Sequence, residues 1–171
     1  MKLLKQYFEK ELKGHGLSFV IDDNLYVIQD DDKEQPKAVI QYIESLQPDQ
    51  IKHGSKNGTH IRTIAYFNFK VSSEQTPDIF VLGFLDMVSN HTQHIIIPHK
   101  DFFSRLGKLS TSERKGMDVV LWQMSNSTVY NTTNISAEGE YYYLSKGVNG
   151  CMADNTDWDY SEFLNAWDRL L

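Results

Sequence analysis

One cysteine, Cys151, and four prolines are spread through 171 residues. A lone cysteine excludes an intrachain disulfide and any zinc site built on cysteine pairs. No apolar run approaches the roughly 18 residues that a membrane-spanning helix needs. The opening segment, MKLLKQYFEKELKGHG, carries charges every few positions and does not read as a secretory signal. These absences lead us to expect a cytoplasmic protein with no membrane partner. A basic excess is also missing, since 17 Lys and Arg stand against 23 Asp and Glu, a net charge of −6. Non-specific affinity for duplex DNA comes mainly from cations neutralising phosphates, so a globally basic binder is excluded while a local basic groove is not. There is no glycine-rich phosphate cradle and no Gly-x-Ser-x-Gly elbow. The acids around Cys151 oppose thiolate formation, which argues against a cysteine nucleophile.

What is present is ordinary globular material. Hydrophobic residues make up 40% and charged residues 23% of the chain, enough for one core. With no repeat of solenoid length, we expect a single domain over residues 1–171. Residues 2–13 show helical spacing, with Leu4, Tyr7, Phe8 and Leu12 on one stripe, and Gly14 and Gly16 stop it. Two short strands are expected over 17–29, around the turn formers Asp23-Asn24. The segment DDDKEQPKAVIQYIESLQ predicts a second helix, with acids at its start, Pro36 early, and Val39, Ile43 and Leu46 facing the core. Strands are expected at 61–71, 79–86 and 94–97. The last two read as strands covered on both faces, because their apolar runs are nearly continuous. A short helix from His99, a strand over 117–124 and a further strand over 139–147 follow. The segment DWDYSEFLNAWDRLL predicts a terminal helix, with Asp159 and Glu162 as a capping box. This order predicts an α/β or α+β fold with a mixed central sheet flanked by helices.

The richest stretch for chemistry is IRTIAYFNFKV. Alternation places Ala65, Phe67, Phe69 and Val71 on one face, and Tyr66, Asn68 and Lys70 on the other. Asn68 and Lys70 are then about 7 Å apart at their alpha carbons. A metal-dependent phosphodiesterase needs oxygen ligands for Mg²⁺ and a cation near the attacked phosphate. With its helix-first order, the strand ending FNFKVSS, the pair PDIFVLGFLD and HIIIPHKDF, and the aromatic terminus FLNAWDRLL, the chain resembles the PD-(D/E)xK restriction-endonuclease-like nucleases. That resemblance implies a restriction-endonuclease-like fold, with Lys70 at the lysine position and Asn68 where an acidic residue stands. Asp22 or Asp23, on a preceding strand, would complete the Mg²⁺ site. Asn68 offers one neutral carbonyl where a carboxylate offers two anionic oxygens, which weakens a hard-cation site. An alternative motif, Pro77-Asp78 with Glu113-Arg114-Lys115, fits less well because TSERKGMD reads as a turn.

Other clusters say less. His91, His94 and His99 with Asp101 have zinc-ligand chemistry. A strand between them adds about 3.3 Å per residue, so the three imidazoles do not easily converge. The function expected is therefore a nucleic-acid-associated protein of restriction-endonuclease-like type with a weakened or lost metal site, a metal-dependent nuclease if active. The alternative is a non-enzymatic protein–protein interaction module using acidic loops and an aromatic surface.

Overall fold

The computed structural model describes residues 2–22, 25–30, 36–46, 61–69, 76–86, 89–106, 117–124, 129–131 and 159–171. The chain begins with helix α1 (Lys2–Gly14), followed by strands β1 (Phe19–Asp22) and β2 (Leu25–Ile28). Strands β3 (Ala38–Glu44), β4 (Ile61–Phe69), β5 (Ile79–Asp86) and β6 (His91–Pro98) come next. Helix α2 (His99–Leu106) precedes β7 (Met117–Met124) and β8 (Val129–Asn131), and two 3₁₀ turns lie in the C-terminal segment. A five-stranded mixed sheet runs in the order β1-β2-β3-β5-β6, and a three-stranded antiparallel sheet in the order β4-β7-β8. Among the described residues β3 with β5 is the one parallel pair, and the chain joining them passes through β4 in the smaller sheet. The architecture is α+β. Among the described residues no helix is long and apolar enough to cross a membrane.

Three layers follow from the period-2 alternation of the strands. Ile79 and Val81 of β5, with Ile96 of β6 and Ile40 of β3, pack toward Phe8 and Leu12 of α1. Phe80, Leu82 and Phe84, with Ile95, Ile97 and Ile43, pack instead against Ala65, Phe67, Val119 and Leu121 of the smaller sheet and Phe102 of α2. The larger sheet is thus covered on both faces, which explains the unbroken apolar runs of β5 and β6. One of its covering layers is a second sheet, beside α2.

Helix α1 ends where Gly16 adopts φ +72, a left-handed conformation that costs glycine little. The amide of Gly16 donates to the Lys13 carbonyl and that of Leu17 to Leu12, the paired bonds of a Schellman stop. At the other end, the Lys5 amide donates to Glu44 Oε1 at 2.9 Å, so a carboxylate of β3 satisfies an orphan donor of the first turn. Helix and sheet are therefore tied by a charge-assisted bond as well as by burial.

Two expected helices are not formed. Residues 30–47 were expected to be helical, but Ala38–Glu44 is a central strand hydrogen-bonded to β2 on one side and β5 on the other. Its apolar residues fall on both faces, and Val39, Ile40 and Ile43 are β-branched, which suits a strand buried from both sides. Asp78 anchors its start: Asp78 Oδ2 accepts from the Val39 amide at 2.8 Å, and the Asp78 amide donates to the Val39 carbonyl. Pro77-Asp78 thus registers the parallel pair. Leu46, expected in the core, is half exposed and forms an isolated bridge to Tyr66.

The terminal helix is likewise replaced, by 3₁₀ turns at Ser161–Phe163 and Trp167–Leu170. Between them Leu164 is extended and bridges Ile95, and Asn165 takes φ +51. Asn165 is bonded into the outer edge of β6: its amide donates to the His94 carbonyl, and its Oδ1 accepts from the His94 amide. Satisfying that edge outweighs continuing a helix. Tyr160 and Phe163 are buried as the spacing predicts, whereas Leu171, expected on the same side, is 60% exposed and Leu170 is buried in its place. Asp159 accepts from the Ser161 amide, two residues on, so no capping box forms. The strand expected over 139–147 lies outside the described residues, while β8 was not expected.

Candidate functional site: the β4 face and an aromatic-floored pocket

Two of the residues singled out for metal chemistry, Asp22 and Asn68, stand on different sheets. Asp22 is exposed at the end of β1, the edge of the larger sheet, and pairs with Leu25. Asn68 is exposed on β4 in the smaller sheet, opposite Asp118 in the register with β7. No strand pairing joins them. The two sheets meet at the Leu46–Tyr66 bridge, where the Leu46 amide donates to the Tyr66 carbonyl at 2.7 Å. Asp23 and Lys70 lie outside the described residues, as does Glu113-Arg114-Lys115. Tyr66 and Asn68, on alternate positions, are both exposed, as the alternation of β4 requires.

The histidines go three ways. His91 is exposed at the start of β6, His99 packs against Phe80 and Phe103, and His94 is buried against the α1 layer. Among the described residues no three His, Cys, Asp or Glu side chains are grouped to hold a metal.

His94 stands in a polar-aromatic cluster built from α1, β3 and the C-terminal segment. It is 2% exposed, and among the described residues its Nε2 has no hydrogen-bond partner. Phe8 from α1 lies 5.7 Å away between ring centroids, Tyr42 from β3 6.3 Å, and Trp167 from the C-terminal segment 5.1 Å. Burial disfavours the charged imidazolium and pushes the His94 pKa down to about 4. The ring is therefore neutral near pH 7.

Tyr42 reaches toward His94 across β5 because the residue beneath it is Gly83, the register partner of His94. A Cβ built on Gly83 would stand 2.8 Å from Tyr42 Cζ, closer than real contacts allow. The Tyr42 hydroxyl is also buried without a hydrogen-bond partner among the described residues. Its pKa is raised well above the ordinary tyrosine range, first by burial and then by Glu44 and Glu9. Neighbouring Tyr26 is raised likewise, by burial and by donating its hydroxyl to Glu9 at 2.9 Å. Replacing Gly83 by alanine is expected to cost about 1–3 kcal/mol, because the Tyr42 ring is clamped under Phe8 and cannot give way. Denaturant titration checks this. Adding Gly83→Ala to a Tyr42→Ala background should cost much less, and full additivity would show that the close approach is not the cause.

Beside this cluster opens a pocket of about 330 Å³. Tyr7 and Glu11 of α1 form one wall, residues 90–92 and His94 a second, and Asn165 and Trp167 a third. The third wall is held firmly, since Asn165 Nδ2 donates to Gln93 Oε1 at 2.6 Å besides the backbone bonds to His94. His15 stacks on Trp167 at 5.0 Å and fixes the indole from the helix side. Sequence reading singled out His94 only as a candidate zinc ligand and missed the pocket. Asn165 falls inside the expected terminal helix, but asparagine's tolerance of positive φ marks it as a candidate helix break. Comparison with family models, with curated proteins and with solved structures yields no match.

Proposed function

We propose that this is a nucleic-acid-associated protein of restriction-endonuclease-like type with a weakened metal site, and that single-stranded nucleic acid meets the outer face of β4. The observation carrying this reading is the exposed row on that strand, where Tyr66 is 43% exposed and Asn68 follows on the same face. An exposed aromatic ring stacks on any base, contributing roughly 1–3 kcal/mol per base. An amide beside it can hydrogen-bond to base edges. In this reading Lys70 contacts phosphate, and Asn68 is a poor Mg²⁺ ligand. The local row, not the acidic whole, carries the binding.

Fluorescence anisotropy with a labelled single-stranded oligonucleotide tests the proposal. Binding is expected at low salt and should weaken steeply as salt rises. Tyr66→Ala should weaken it by about tenfold or more, and Lys70→Ala should reduce the salt slope by about 1. Indifference to single strands at low salt would remove the reading. Mg²⁺-dependent nicking of plasmid DNA, lost in Lys70→Ala, would instead mark a working nuclease.

A second reading, a protein–protein interaction module, is supported by β1. Among the described residues this edge strand pairs only with β2, and Val20 and Ile21 are about half exposed on it. Apolar edge strands are templates for adding a strand from another chain. The net charge of −6 would favour a basic partner. Capture of such a partner by a protein that ignores oligonucleotides would favour this class.

A further inference from the structure

The pocket between α1, β6 and the C-terminal segment has a consistent chemical sense. Among the described residues that line it, Glu11 is the one carboxylate, and no lysine or arginine takes part. The other ionisable groups on its walls are the Tyr7 hydroxyl and the imidazoles of His91 and His94. The floor residue His94 is buried with an unpartnered ring nitrogen, and a neutral imidazole offers an acceptor as well as a donor. Asn165 Oδ1 accepts from the His94 amide and retains a second lone pair. Tyr7, 44% exposed at the rim, supplies an apolar wall. The volume, about 330 Å³, lies at the low end for small-ligand sites, which span roughly 300–1,000 Å³. The walls come from three separated segments that are already fixed by hydrogen bonds and ring packing, so little ordering remains for a ligand to impose.

We propose that this pocket binds a small organic cation, an amine or guanidinium on a compact apolar body. Glu11 serves as its counter-charge, and Asn165 Oδ1 receives a hydrogen bond from it. A cation of this kind only donates hydrogen bonds, and the pocket presents acceptors. The depressed pKa of His94 keeps the ring neutral at pH 7, so it adds no positive charge beside the ligand. The inference stands on the pocket alone and does not depend on nucleic-acid binding at β4.

Benzylamine and agmatine are suitable probes, with benzyl alcohol and benzoate as neutral and anionic counterparts of the first. Titration followed by calorimetry and by the ring-nitrogen resonances of the histidines should show saturable amine binding that moves the His94 signals. Benzoate should bind at least about tenfold more weakly, a difference of about 1.4 kcal/mol. Glu11→Gln, a change at an exposed position, should weaken the amines about tenfold while leaving benzyl alcohol unchanged. The amine affinity should also fall with added salt, because Glu11 is exposed. Absence of saturable amine binding up to about 10 mM, equal binding of benzoate, or indifference to Glu11→Gln would each overturn the assignment.

Discussion

Phe8→Ala is expected to lower the free energy of unfolding by about 3–5 kcal/mol, as buried aromatic truncations do. Phe8 is fully buried where α1 meets the larger sheet. Its ring stacks on Tyr42 with centroids 4.4 Å apart and planes 6° from parallel, and meets Tyr26 edge-on at 5.1 Å. Trp167 lies 6.1 Å away, so one side chain joins the helix, two strands and the C-terminal segment. Truncation leaves a void that the neighbours fill poorly, because Tyr42 rests over Gly83 and Trp167 is held by His15. Against a typical total stability of roughly 5–15 kcal/mol, that loss approaches the margin of folding. The adjacent Tyr7→Ala, at a position 44% exposed, should cost less than about 1 kcal/mol. Denaturant titration of both variants is the check. Equal costs would mean that α1 is not seated through Phe8.

The second large effect is a loss of stability on acidification, centred on His94. Its folded pKa of about 4 lies below the ordinary histidine value near 6.5, so the unfolded chain takes up the proton first as pH falls. The stabilising contribution is fully present above pH ~6.5 and is lost progressively between that value and pH ~4. Over that interval the loss is on the order of 3 kcal/mol. Other titratable groups lie around it: Glu11 and His91 at the pocket, Tyr42 across β5, and His15 on Trp167. Those groups are kept in a His94→Leu variant, so they largely cancel when it is compared with the parent protein. The variant's stability relative to the parent should therefore rise by about 3 kcal/mol between pH 7 and pH 4. A constant difference across that range, measured by urea denaturation, would show that His94 can be protonated in the folded protein.

Elements with strong local patterning were legible in the sequence. The stripe holding Phe8 and Leu12 gives α1, with Gly16 as its stop, and the apolar run of residues 79–86 gives β5 with both faces covered. The outward position of Asn68 follows from simple alternation along β4. Residues 38–46 were misread because their apolar positions satisfy a helix face as well as a two-sided strand. The choice is made by β2 and β5 on either side, and by Asp78 bonding to both backbone groups of Val39. The C-terminal aromatics were placed correctly in the core but in the wrong backbone, since the free edge of β6 draws Leu164 and Asn165 into bridging contacts.

Local spacing by itself determined an amphipathic helix and buried strands at residues 79–86 and 94–97 that pack as core. Hydrophobic periodicity acts over a few residues and needs no distant partner. Tertiary structure alone decided which polar groups share a neighbourhood. Asp22 and Asn68, read as partners, stand on different sheets, while Glu11, His94 and Trp167, far apart in the chain, enclose one pocket. The reason is that a strand's register and a pocket's walls depend on contacts between distant segments. Gly83 beneath Tyr42 and Asn165 on the edge of β6 acquire their roles only when those segments meet.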